Sequence, residues 1–384
     1  MMIKKLLNLN FISLSFNNVL NLVFPSFLFF ILILSNHNIL SSEVAINTSI
    51  LTLLTKSLSA NQRNIVLTSE NIKMLDKFII FRLELIIFIL ILTLILNFFF
   101  ISVNEINIIF IFIFCSQWIN EICLVKNELI GNKKINNFFF FINILFFSGI
   151  CFFSFFLYNY LLFVLLAYFI HITIFSLIFL KNKKLSNIFF DSKKIYLNLI
   201  KYFRTNFFLS GFALNLANLI WRISIISVLG KNYASIFFAI FSLGSFPGTI
   251  FSSSFGVTMV KKKINHLYLI VFFIIYIFLL ILFYLLLSTN FSNFFSKDFF
   301  DLNFLVYIAV FTFIGSIITL YSLYNRQLYI DSDPNFENNI FKKDIFLSIF
   351  ISLIPISLYL IGGTNWIGFS YFILAITSYI FYIR

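Results

Sequence analysis

Long apolar runs alternate with short polar breaks along the whole chain. A helix that crosses a bilayer needs about 20 mostly apolar residues. By that measure the runs at 18–35, 43–60, 78–103, 107–125, 138–157, 161–180, 205–229, 233–260, 267–287, 304–324, 345–361 and 366–383 each predict a membrane-spanning helix. The run at 43–60 is the most polar, with Asn47, Lys56 and several Ser and Thr residues. Such a span is tolerated only where its polar face looks at protein or water. Residues 6–17 read as an interfacial lead-in, and the first span as an uncleaved insertion signal.

The charges between the runs test this count. With the N-terminus in the cytoplasm, the outer loops carry only Lys231 and Lys297. Lys56, Arg82 and Arg222 fall within spans, and the remainder of the 27 Lys and Arg residues lie inside. That asymmetry is what the positive-inside rule demands, and it places both termini in the cytoplasm. One missed or invented helix would scramble it. The longest inner connections are 181–204 and 325–344, and the longest outer loop is 288–303. The expected architecture is therefore an all-α polytopic membrane protein of about twelve helices. A basic linker, 181–204, separates a lobe at 1–180 from a lobe at 205–384, each of six helices. An even number per half gives a parallel pseudo-repeat about an axis along the membrane normal.

Composition agrees. Hydrophobic types make up 61% of the chain and charged types 11%, with a mean hydropathy of +1.02. Soluble domains carry roughly 25% charge, and even large ones bury only about 75% of their surface on folding. Part of the solvent must be lipid. The net charge of +13 is accounted for by topology and not by nucleic acid. Cys115, Cys123 and Cys151 lie in apolar runs without metal-ligand spacing and read as small fillers. No phosphate-binding loop, metalloprotease motif or dinucleotide fingerprint occurs, so no cofactor, no metal and no enzymatic activity are expected.

Polar residues inside the spans are the candidate chemistry. Gly211, Asn215, Asn218 and Arg222 recur at spacings of three and four, on one helix face. Arg222 either meets an anionic group in a cavity or snorkels to the headgroups with Trp221 as interfacial anchor. Gly244, Gly248, Ser252 and Gly256 form a small-residue stripe beside Pro247, suited to close helix packing or to a kink. Asn17, Asn21 and Pro25 share a face of the first span, and Gln117, Asn120 and Glu121 share one of the fourth. Glu121 reads as an interfacial carboxylate near Lys126 or as a cavity carboxylate. Lys56 either snorkels or lines the inner mouth of a cavity. Arg82 and Glu84, two apart and not facing each other, read as interfacial.

The stretch from Asn218 to Lys263 resembles the opening of the second half of bacterial polysaccharide (O-antigen-type) flippases. Those belong to the multidrug, oligosaccharidyl-lipid and polysaccharide exporter superfamily. The resemblance rests on Arg222, then Gly230, Tyr233 and the small-residue run from Ala239 to Gly256. Trp221 stands where that family often has an acidic residue, and Thr258, Met259 and Val260 stand where it often has Pro. The resemblance implies the multidrug and toxic-compound extrusion fold, in a bacterial inner membrane. It implies flipping of a polyprenyl-diphosphate-linked oligosaccharide by alternating access, with other glycan-assembly membrane proteins as partners. The substrate contacts would be Arg222, Asn215 and Asn218, joined by Asn21, Gln117, Glu121 and Lys56. A small-molecule exporter of the same superfamily is the alternative. A membrane-embedded polymerase or glycosyltransferase fits less well, because the outer loop at 288–303 offers only Lys297, Asp298 and Asp301.

The orientation is testable in a variant whose three Cys residues are replaced by Ala. An impermeant maleimide should label Asn290→Cys in intact cells and Asn182→Cys only after permeabilisation. The reverse pattern would invert the topology.

Overall fold

The computed structural model describes residues 9–59, 62, 72–100, 104–130, 133–180, 205–261, 274, 277, 281, 302–332 and 336–383. Regular structure among them is helical. The first helices are α1 (Leu9–Leu34), α2 (Asn38–Ser59), α3 (Ile72–Phe100), α4 (Glu105–Ile130), α5 (Lys133–Phe156) and α6 (Leu161–Leu180), with a 3₁₀ turn at Tyr158–Tyr160 before α6. A helical run follows at Thr205–Lys261 and is broken at Gly230, where φ is 76° and ψ 163°. Only glycine enters that region cheaply. The run is therefore two helices, α7 (205–229) and α8 (231–261), in agreement with the two predicted spans. Then come α9 (Leu302–Ser332), α10 (Phe336–Gly362), the single turn α11 (Thr364–Ile367) and α12 (Ser370–Tyr382).

Most helices outrun their predicted spans. α1 begins at Leu9 instead of 18, and α3 at Ile72 instead of 78. Hydropathy marks the thickness of lipid, whereas backbone hydrogen bonding carries a helix on past the interface. The predicted span 267–287, apart from residues 274, 277 and 281, lies outside the described residues, as does the linker 181–204.

Seven helical stretches among the described residues are long and apolar enough to cross a membrane: Phe78–Phe99, Glu105–Val125, Lys134–Phe156, Tyr158–Ile178, Phe208–Ser245, Phe304–Leu323 and Asn339–Gly362. Phe208–Ser245 contains the Gly230 break and so covers parts of two predicted spans. Leu20–Leu34 and Ser370–Tyr382 are apolar but shorter. The side-chain distribution points to lipid as well. Ile87, Phe88, Ile91, Leu94, Ile95, Phe98 and Phe99 of α3 are exposed, as are Phe138, Phe141, Leu145, Phe152 and Phe156 of α5. Asn17, Arg82, Asn120 and Asn143 are buried. Water penalises apolar exposure of that extent. The chain is a multi-pass membrane protein.

The helices form two compact units. One comprises Met1–Pro25 and Ile46–Leu219, the other Ser26–Ala45 and Ile220–Arg384. The turn between α1 and α2 thus clusters with the later helices. In the first unit α4 is the enclosed helix: 78% of its apolar stretch is buried, against 22% and 33% for α5 and α6. Ile119, Ile122, Cys123 and Val125 of α4 pack on Phe78, Ile79 and Phe81 of α3. Leu124 packs on Phe139 and Phe175, whose rings stack 3.7 Å apart. In the second unit α12 lies on α9 and α10. Gly244 of α8 touches α9 so closely that a Cβ there would meet Thr312 Cβ at 2.5 Å. That part of the small-residue stripe packs tightly, as its spacing suggested. The side chains of Gly248, Ser252 and Gly256 lie outside the described ones.

Gly244→Ala is therefore expected to overpack α8 against α9 and to cost about 1–3 kcal/mol. The check is a lower unfolding temperature in detergent than that of wild type.

Candidate functional site

A buried guanidinium organises the first unit. Arg82 lies well inside α3, and its side chain is 1% exposed. Its Nη1 is 2.9 Å from Glu121 Oε2 on α4 and also donates to the Trp118 carbonyl. Nε donates to Gln62 Oε1 at 3.1 Å, and Nη2 to Ser59 Oγ at 3.3 Å at the end of α2. The guanidinium carbon sits 5.0 Å from the centroid of the Trp118 ring. The Trp118 indole in turn donates to Ser59 Oγ at 2.7 Å. The interfacial reading of Arg82 is thereby corrected. Its distance along the helix axis places it near a membrane edge, but its side chain points into the protein. A charge so enclosed requires an opposite charge and filled hydrogen bonds, and it has both.

Glu121 has a second cation beside it. Lys56 Nζ lies 3.8 Å from Glu121 Oε1, and the Lys56 side chain is 44% exposed. Among the described residues, one carboxylate thus faces two cations. Glu121 is enclosed within the unit, with a side chain 13% exposed.

The other predicted site residues serve different contacts. Asn21 Nδ2 donates to the Gln117 carbonyl at 3.0 Å, and Gln117 Nε2 to the Tyr168 hydroxyl at 3.4 Å. Asn17 Nδ2 donates to the Asn136 carbonyl at 3.0 Å, and Asn143 Nδ2 to Asn17 Oδ1 at 3.4 Å. These amides tie α1 to α4 and α5, and α4 to α6. Each such tie within a membrane contributes about 0.6 kcal/mol. On α7, Asn215 Nδ2 returns to the Gly211 carbonyl of its own helix at 2.7 Å, and Asn218 is exposed.

In the second unit Arg222 Nη1 donates to the Ala45 carbonyl, and its guanidinium carbon lies 5.7 Å from the Phe238 ring centroid. Arg222 therefore reaches the backbone of α2 and does not run outward to headgroups. Trp221 is no interfacial anchor: it is buried against Phe238 and Phe241. Lys231, just past the Gly230 break, pairs with the buried Glu43 at 2.9 Å. A further ion pair joins Arg326 to Asp344 at 2.7 Å, and the Tyr382 hydroxyl donates to the same carboxylate. Burial opposes the Arg326 charge, but Asp344 and Tyr382 outweigh it and hold its pKa above the ordinary value. In the turn before α2, burial lowers the pKa of His37.

Sequence reasoning did not find the Arg82–Glu121, Glu43–Lys231 or Arg326–Asp344 pairs. The available signal was the rarity of ionisable residues in spans: each such residue needs a partner. No group of three or more His, Cys, Asp or Glu residues suited to a metal occurs among the described residues.

Removing one partner of a buried pair strands the other. Arg82→Gln should cost about 3–5 kcal/mol and collapse the yield of monodisperse protein in size-exclusion chromatography. The apolar double variant Arg82→Met with Glu121→Leu should recover most of that yield.

No protein-family model matches the chain, and no curated protein matches its sequence. Two solved structures are similar in chain course. One is a MOP superfamily transporter from Pyrococcus furiosus, described as having a binding pocket of reverse polarity that suggests a different function. It shares 13% identity over 97% of this chain and 94% of its own, with a TM-score of 0.46. The other is a multidrug resistance MATE family transporter of the MOP superfamily in an inward-facing conformation. It shares 14% identity over 96% of this chain and 90% of its own, with a TM-score of 0.40.

Proposed function

We propose that this protein is a transporter that moves a polyprenyl-diphosphate-linked oligosaccharide from the cytoplasmic to the outer leaflet of a bacterial inner membrane, for surface polysaccharide assembly. The observation that carries the proposal is Lys56, a partly exposed cation beside the Arg82–Glu121 ion pair. A sugar diphosphate does not cross hydrocarbon unaided, because desolvating its charges is prohibitive. Its polyprenyl tail needs no help and stays in lipid. A protein that moves such a molecule has to offer its head polar and cationic groups among apolar helices. Lys56 does this with a partly exposed side chain on the most polar of the spans. Under the orientation predicted by the loop charges, Lys56 lies toward the cytoplasmic end of α2, where the substrate is made.

Asn215 and Asn218 are further candidate contacts in the first unit, with the exposed Asn218 amide available to sugar hydroxyls, and Arg222 is one in the second. Alternating access would carry the head between the two sides. Coupling to an ion gradient or to a partner would supply the energy.

The test is surface-glycan display in cells whose only copy of the gene is the variant. Lys56→Gln should lower display at least tenfold at unchanged protein level, and Lys56→Arg should retain most of it. Arg222→Ala should also lower display. Normal display with Lys56→Gln would remove that residue from the substrate path. A gene deletion that spares the glycan but sensitises cells to drugs would replace the substrate with small molecules.

A further inference from the structure

Resting on that reading of the site, we propose that Glu121 is a carboxylate gate on Lys56. It holds the Lys56 ammonium when no ligand is present and cedes it to a phosphate-bearing headgroup, while Arg82 keeps the carboxylate in place.

The three charges differ in how firmly they are held. Arg82 is fixed on every side. Its guanidinium has contacts with Glu121, Gln62, Ser59 and the Trp118 carbonyl, and it lies against the Trp118 ring. Glu121 is held through Oε2 by this immobile partner at 2.9 Å, and its side chain is 13% exposed. Lys56 is different. It meets Glu121 Oε1 at 3.8 Å, which is attraction without hydrogen-bond length. Its flexible side chain is 44% exposed, and an ammonium has three donors to place. Among these three charges Lys56 is the member that can turn to a new partner without stranding a buried charge.

Phosphate chemistry suits that vacated contact. A diphosphate oxygen offers Lys56 a charge-assisted hydrogen bond at about 2.7–2.9 Å, shorter than its present contact. Arg82 stays paired with Glu121, so its cost of desolvation remains covered. Glu121 then acts as a competitor that weakens the anion site and limits it to strongly charged ligands. It positions Lys56 and does not touch the ligand.

The test is binding to the purified full-length protein in nanodiscs, with inorganic pyrophosphate, farnesyl diphosphate and farnesol as probes. Both diphosphates, or farnesyl diphosphate alone, should bind, and farnesol should not. The two outcomes separate a free-anion site from a lipid-headgroup site, and no binding by either diphosphate overturns the proposal. Glu121→Gln should tighten diphosphate binding roughly tenfold, since it removes an opposing charge close to the ammonium. Lys56→Gln should abolish binding. The double variant should behave as Lys56→Gln alone, because Glu121 acts only through Lys56. Should Glu121→Gln fold poorly, Arg82→Gln with Glu121→Gln carries the same test on a neutral pair. Unchanged or weaker binding in the folded Glu121 variant, or a Glu121 effect that persists without Lys56, would overturn the gate. Binding as expected with glycan display indifferent to Lys56 would instead overturn the transport reading and leave the gate standing.

Discussion

Arg82 sets the terms for the first unit. A guanidinium sealed among apolar helices is stable only with a carboxylate and several acceptors at fixed positions. Glu121 supplies the charge from α4, Trp118 a carbonyl from the same helix, and Ser59 and Gln62 oxygens from the end of α2 and just beyond. These contacts fix the register of α3 against α4 and pin the C-terminal end of α2. The apolar packing of Phe78, Phe81, Ile119 and Ile122 is compatible with that register but would tolerate others, since dispersion carries little directional information. The ionic contact also accounts for the enclosure of α4. It carries Gln117, Asn120 and Glu121, which lipid would penalise.

Hydropathy and charge made most of the helices legible. Gly230 sits between two predicted spans, and the backbone breaks there in a conformation suited to glycine. The charge cluster was less legible, and Arg82 shows why. Its place near one end of an apolar run indicated depth along the membrane normal. Burial depends on the lateral direction of the side chain and on neighbours 20 to 39 positions away. The Asn ties have the same character. The spacing of Asn17 and Asn21 marked a polar face, but their partners Asn136 and Gln117 lie 119 and 96 positions further on. The interfacial alternative for Trp221 gives way for the complementary reason. An indole beside an arginine suits an interface, yet three aromatic rings cluster more favourably inside.

The polar character of α2 follows from how its groups are satisfied. Thr55 and Ser59 return their hydroxyls to the carbonyls of Leu51 and Thr55, four residues earlier, at 2.7 and 2.6 Å. Asn47 accepts from the Asn97 amide of α3. Glu43 is paired with Lys231, and the Ala45 carbonyl receives Arg222. A helix that carries this many polar groups is a poor span in isolation. Here most of them are turned into protein contacts, so lipid meets few of them.

Lys56 departs from that pattern. Of the charges on α2, Glu43 is buried and closely paired. Lys56 keeps an open side chain and a long contact to a carboxylate already engaged by a nearer cation. If charge satisfaction were the sole constraint, Glu121 and Arg82 alone would suffice, and an apolar residue at position 56 would suit an apolar bundle better. A cation held there beside a fixed ion pair is the feature on which the proposed ligand contact rests.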